Sequence, residues 1–492
     1  MSPTGTIAKT DALADSPPAP PPLAELDASC QLPVLYFLLS GLAWLLVGSL
    51  LQFEAVVRLL FPDWCAICPA MSYGRLVPAA ENALVYGFAS QMGLGIGLWL
   101  LARLGRTPLV APGLIAAGNV LWNLALTVGI LAILLGDGTG HAGLEMPAYS
   151  QWMLLAAYMF VGIWAVQTWA HHSSGPLYAS QWFLLGALFW FPWLLTTAQL
   201  VVVTFPGRGV LPAITAAWFV GGIQHLWLTP LALAAIYYFI PVITGRPLRN
   251  YHLAVIAFWS LALFGAWSGP ARLIGGPVPA WIVTSGIVAT VLLLIPVTIV
   301  ALNTWPVLGS RLGQVCQNQV LRFLAVAVVC FVLVNLGNAV NAFRFRAAVT
   351  HLTLNEWARS FAFLHGFVAL TFLGAAYHVV PRLMRRDWPS PRLVSVHFWF
   401  SILGLALVVI PAAVDGLRQG RELNDATVPA ARILEQLRSV FGWRVLGLTL
   451  MGAGNLAFVT NFAWLLVRCW TPGFKSAVAF FANEAAKSVT AR

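Results

Sequence analysis

The sequence predicts an all-α, polytopic membrane protein with about twelve transmembrane helices. Of its 492 residues, 60% are hydrophobic and only 9% are charged, whereas a soluble domain carries roughly a quarter charged residues. Long apolar runs recur along the chain, each near the ~20 residues that cross a bilayer. Short polar breaks separate them, and a backbone in lipid must satisfy its own hydrogen bonds, which selects helices. This composition excludes a soluble enzyme, a disordered chain and a nucleic-acid-binding domain. The net charge of +11 is assigned to Lys and Arg of cytoplasmic loops, and the expected surroundings are membrane lipids.

Residues 1–31 are polar and Pro-rich, with no apolar stretch of the signal-peptide kind. They are read as a flexible cytoplasmic tail, which makes the first apolar run a signal-anchor helix. The expected spans are 32–60, 81–102, 114–135, 153–169, 182–205 and 211–239, then 253–267, 281–302, 323–343, 357–380, 396–414 and 443–467. They form one membrane domain, 32–470, followed by a cytoplasmic tail, 471–492. Loops after even-numbered spans carry Arg103, Arg106, Arg246, Arg249, Arg311, Arg382, Arg385, Arg386 and Arg392, whereas loops after odd spans are mixed in sign. The positive-inside rule then places both termini in the cytoplasm. The mixed loop with Asp415, Arg418 and Glu422 lies outside as a docking surface.

Charges within spans are expensive and invite a functional reading. Glu54, Glu81, Arg272, Arg359 and Arg444 all fall near span ends, where snorkelling to the interface is the competing reading. Asn335, Asn338 and Asn341 repeat every three residues and share one helix face; they are expected to bond a neighbouring helix. Of nine histidines, His225, His365, His378 and His397 fall in or near spans, and no span carries a His-x-His pair. Cys65 and Cys68 form the one local cysteine pair, read as a small disulfide or free thiols rather than a metal site.

Several stretches resemble the main subunit of haem-copper oxidases, the C-family or cbb-type in particular. Gly74-Arg75-Leu76-Val77-Pro78-Ala79-Ala80-Glu81-Asn82-Ala83 resembles the entry to that family's second helix. Tyr237-Tyr238-Phe239-Ile240-Pro241 with Gly245-Arg246-Pro247 resembles its helix 6 exit, and Phe258-Trp259 through Trp267-Ser268-Gly269-Pro270 its helix 7. Gly374-Ala375-Ala376-Tyr377 with Pro381-Arg382-Leu383 resembles its helix 10 exit. The motifs keep the family's order and cover most of the chain.

The resemblance implies a haem- and copper-binding respiratory subunit, yet its ligand positions fall on other residue types. The low-spin haem ligand of helix 2 falls on Ala80, and a copper ligand of helix 6 on Gly221. Two further copper ligands fall on Ala271 and Arg272, the active-site tyrosine on Gly265, and the two haem ligands of helix 10 on Arg359 and Phe361. Ala, Gly and Phe cannot coordinate a metal, and arginine stays protonated. His225 and His365 each lie four residues, one helical turn, beyond a lost ligand. They are the candidates for relocated haem or metal ligands.

The expected function is therefore a cofactor-free scaffold in a respiratory electron-transfer complex, with no catalytic residue and no bound metal. Its implied partners are a membrane-anchored cytochrome c-type subunit and other respiratory subunits, in an energy-transducing plasma (inner) membrane. The alternative is a divergent terminal oxidase or nitric oxide reductase holding haem through His225 and His365. A transporter on the same bundle is the third reading. Arg272 and Arg359 are expected to find helix-end carbonyls, water or an acid, with a buried salt bridge to Glu81 where haem sat in the family.

Overall fold

The computed structural model describes residues 22–64, 68–173, 175, 177–248 and 250–490, with side chains to residue 469. Every regular element among the described residues is helical. Twelve helices are long and apolar enough to cross a membrane. They are α1 (Leu23–Leu60), α2 (Tyr73–Gly105), α3 (Pro112–Leu135), α4 (Ala148–Ala170), α5 (Ala179–Thr204) and α6 (Leu211–Thr244). The second half comprises α7 (Tyr251–Leu273), α8 (Ala280–Gly309), α9 (Gln319–Ala342), α10 (Leu354–Met384), α11 (Pro391–Leu423) and α12 (Ala430–Cys469).

Local chemistry sets the ends. Prolines sit in the first turns of α3 and α11, where a missing N–H costs nothing. Gly136 and Gly245 close α3 and α6 with positive φ, at 102° and 66°. Several helices outrun their apolar cores, so the observed bounds are wider than the expected ones.

One boundary is corrected. Leu23–Cys30 belongs to α1 rather than to a tail, because Asp27 anchors this first turn. Asp27 accepts from Trp99 Nε1 at 2.9 Å and pairs with Arg103 at 3.2 Å. The helix of α12 continues to Thr490, past Pro472 and Gly473. Residues 1–21 and Cys65 lie outside the described residues, so the cysteine-pair reading falls there; Cys68 is exposed.

The bundle has an inside and an outside. In α2, α6 and α10, 94%, 83% and 89% of the most apolar stretch is buried, against 39–50% in the other nine helices. The outer nine present apolar side chains outward, as lipid requires. Each inner helix carries a π-helical segment: Ala83–Ala89, Ile223–Leu228 and Ala362–Ala369. Such wide turns concentrate at functional sites, and all three lie in the N-terminal halves of their helices.

Candidate functional site: two cavities at the centre of the bundle

Two adjoining cavities border the N-terminal halves of α6 and α10, and α2 borders the larger of them. The smaller, about 90 Å³, has a mixed polar and apolar wall contributed by α6, α7, α8, α9, α10 and the segment after α9. Its wall includes Gly221, Ala271, Arg272 and Arg359, so one space gathers four of the seven positions that the family resemblance singles out. The larger, about 240 Å³, is mostly apolar and is bounded by Glu81, Asn82, Glu145, Arg272, Phe361 and His365 among others.

At Gly221 the two helices meet backbone to backbone. A Cβ there would come within 2.6 Å of Gly269 Cα and 2.7 Å of its nitrogen. A Cβ at Gly269 would in turn meet the Ala217 carbonyl oxygen at 2.2 Å. One at Gly286 of α8 would meet the Ala271 nitrogen at 2.3 Å. Small residues let membrane helices approach this closely. Any side chain at Gly221 requires α6 and α7 to separate.

The other positions are filled or closed. A Cβ at Gly265 would meet His225 Cβ at 2.8 Å, so His225 occupies the space beside it. Phe361 stacks on His365 with ring centroids 4.1 Å apart, and Trp357 packs on Phe361 at 5.1 Å. Ala80 is buried. His225 and His365 are also buried, and His365 Nε2 has no hydrogen-bond partner. Among the described residues, no three His, Cys, Asp or Glu side chains are placed to hold a metal ion. The donor set and the closed helix contact do not fit the family's copper centre. The larger cavity also falls below the ~300–1,000 Å³ of ordinary small-molecule sites.

The structure routes the two central arginines to neutral acceptors instead of to Glu81. Arg272 donates to Gln224 Oε1 at 3.1 Å. Arg359 donates through Nε to Asn338 Oδ1 at 3.0 Å, and through Nη1 to the Asn355 carbonyl at 3.3 Å and to the Asn355 side-chain oxygen. Asn355 stands one turn before Arg359 and Asn338 faces it from α9, so amides are nearer than any acid. Glu356 is taken up by His351 Nδ1 at 2.9 Å and the Leu352 N–H at 3.0 Å. Glu81 is exposed, at the wall of the larger cavity.

The remaining polar residues also depart from expectation in part. Of the asparagine ladder, Asn338 alone reaches another helix; Asn335 and Asn341 donate to Phe331 and Gly337 carbonyls of their own helix. Arg444 is buried rather than snorkelling, with its guanidinium 3.8 Å from the Trp357 ring centroid. A desolvated cation over an indole face gains by charge–quadrupole attraction. Glu54 pairs with Arg58 one turn along α1, at 3.7 Å. His397 bonds the Tyr377 hydroxyl at 2.8 Å, a structural role far from the cavities.

Glu145 was not foreseen. It reaches the larger cavity from the loop between α3 and α4, accepting from Asn82 Nδ2 at 2.9 Å and the Gly143 N–H at 2.8 Å. Burial pushes its carboxyl pKa above the ordinary value, and the two donors oppose that rise. A single acid in a polar loop carries no sequence signal of this placement. Gln224 did carry one, since it lies three residues, one turn, after Gly221.

Comparison with known proteins agrees with the architecture. A sequence model of the family described as "Cytochrome C and Quinol oxidase polypeptide I" matches residues 33–451. The chain is 27% identical over 467 residues to a cbb3-type cytochrome c oxidase subunit CcoN1 of Stutzerimonas stutzeri, covering 91% of this chain and 97% of that one. It is 26% identical over 455 residues to a cytochrome c oxidase subunit 1 homolog of Agrobacterium tumefaciens (strain T37), covering 87% and 81%. A solved heme-copper terminal oxidase dimer superposes with a TM-score of 0.72 at 12% identity, over 90% of this chain and 84% of that chain. That last likeness concerns the fold alone.

Proposed function

This chain belongs to the cytochrome c and quinol oxidase polypeptide I family, and from that premise we propose that it is a cofactor-free subunit, a membrane scaffold in a respiratory electron-transfer complex. The observation that carries the reading is the contact of Gly221 with Gly269. An imidazole at position 221 needs a Cβ where the α7 backbone already lies, and overpacking of this kind costs about 1–3 kcal/mol or more. The neighbouring positions support it: Ala80, Ala271 and Phe361 offer no lone pair to a metal, and Arg272 and Arg359 hold their protons.

The family acts in respiratory complexes with other subunits. In this reading the chain contributes helix packing and a docking frame to such an assembly, while a membrane-anchored cytochrome c-type partner carries the electrons. Both termini lie in the cytoplasm, on the loop-charge argument. A reporter fused after Gly105 and one fused after Leu135 test that orientation, and the first is expected on the cytoplasmic side.

One observation favours a second reading. His365 Nε2 is buried, has no hydrogen-bond partner, and belongs to the wall of the larger cavity. A haem held by relocated histidines would employ it. The separating experiment is His365→Gln and His225→Gln, followed by a pyridine-haemochrome assay and metal analysis of the purified subunit. The scaffold reading expects neither stoichiometric haem nor copper in the wild type and intact assembly in both variants. One haem per chain that disappears in either variant establishes the second reading.

A further inference from the structure

The scaffold reading leaves the smaller cavity with no task, although two guanidiniums meet in its wall. Arg272 comes from the end of α7 and Arg359 from the first turns of α10, and Arg359 feels the attraction of Glu356 as well as the smaller repulsion of Arg272. A guanidinium presents five N–H donors in a planar fork. The protein engages Arg272 through one bond to Gln224, and Arg359 through Asn338 and Asn355. Neither makes an ion pair among the described residues. Glu356 shares the wall and attracts both, while one of its oxygens, Oε2, accepts from His351 and the Leu352 N–H.

Two like charges in one space repel, and the wall sets only one carboxylate, Glu356, against the two guanidiniums, which leaves it net positive. An anion between the guanidiniums gains two attractions against the single repulsion of Glu356. Planar oxygens suit it best, because the guanidinium fork matches carboxylate-like geometry. The volume of about 90 Å³ is well above the ~10–15 Å³ that one water needs, and so admits a species of several heavy atoms. We propose that this cavity binds one small planar oxyanion, of the formate, nitrate or bicarbonate class, between Arg272 and Arg359. The proposal rests on the cofactor-free reading, since a metal centre would need the same space. A positive site of this kind suits a regulatory or structural anion drawn from the aqueous phase.

The test uses the full-length subunit in detergent, with haem content measured on the same sample. Sodium formate and sodium nitrate are titrated against sodium chloride at constant ionic strength, by isothermal calorimetry and by thermal unfolding. The expected result is saturable binding of one planar oxyanion per chain, with a rise in the unfolding midpoint that chloride does not reproduce. Arg272→Gln and Arg359→Gln are each expected to weaken it at least tenfold, and the double variant to abolish it. Should the Gln variants fail to accumulate, Arg272→Lys and Arg359→Lys keep the charge, lose the planar fork, and read the same loss.

An absent saturable response, or one unchanged in the variants, overturns the proposal. So does an equal chloride effect, which marks general salt stabilisation. Anionic phospholipid vesicles that displace formate would assign the guanidiniums to a lipid headgroup and also overturn it. Failure in a haem-free sample removes the anion site and leaves the scaffold reading standing. Failure in a sample with stoichiometric haem removes both.

Discussion

The two halves of the inner helices α2, α6 and α10 differ sharply. Their C-terminal halves are packed with aromatic rings. Trp99 stacks on Phe239 at 5.9 Å and lies edge-on to Tyr238 at 5.7 Å, and Phe239 meets His378 edge-on at 5.0 Å. Their N-terminal halves carry the π-helical segments and border the two cavities, with ring contacts of their own such as Phe361–His365 and Phe363–Phe367. The residues of Tyr237–Pro241 and Pro381–Leu383, which resemble the family's helix exits, fall in the packed half. The seven positions that the resemblance assigns to ligands all lie at or near the hollowed end. In the scaffold reading proposed above, framework and reaction centre are separable: the motifs that resemble the family's lie in one half and the assigned ligand positions in the other.

That separation can be broken most forcefully in the packed half. Trp99→Ala removes a fully buried indole and its bond to Asp27, and is expected to cost about 3–5 kcal/mol. The check is the loss of monodisperse protein in size-exclusion chromatography. A weaker perturbation closes in on the hollowed half: Gly269→Ala drives a Cβ into the Ala217 carbonyl and is expected to cost about 1–3 kcal/mol, read as a lower unfolding midpoint. A neutral Gly269→Ala would mean that α6 and α7 separate readily, and that the space at Gly221 can open. His225→Gln is expected to change the midpoint least among these substitutions, since Gln keeps a donor and an acceptor.

Glu145 sharpens the comparison through pH. Its folded pKa is raised above the ordinary 4.5 by burial. A carboxyl so raised contributes stability that is complete below its unfolded pKa and is lost as pH rises through the folded one. The unfolding midpoint of the wild type is therefore expected to decline across that window, by a small amount. Glu145→Gln, which stays neutral, should flatten the decline. An unchanged slope in the variant would place the proton uptake elsewhere.

The twelve helices were legible because burial in lipid writes itself into composition: a 20-residue apolar run has few alternatives. The loop arginines and the exit motifs were legible for the same local reason. What the sequence hid was tertiary. Gly221 reads as a lost ligand, and only the structure gives it the positive role of letting two backbones touch. Arg272 and Arg359 read as cations in search of an acid, because Glu81 is the acid beside Ala80. The side chains that take them, Gln224, Asn338 and Asn355, are neutral amides whose proximity depends on how α6, α9 and α10 pack. Asp27 hid similarly, in a segment whose polar composition resembles a tail until Trp99 and Arg103 are brought against it.

The central claim is that the helix contacts and side chains now filling the hollowed half leave no place for the family's cofactors. The most direct measurement is the optical spectrum of the purified subunit, free of partner chains, before and after dithionite reduction. The account predicts protein absorbance alone, with no Soret band and no reduced α-band. A Soret band of one haem per chain, retained after the partners are removed, would contradict it.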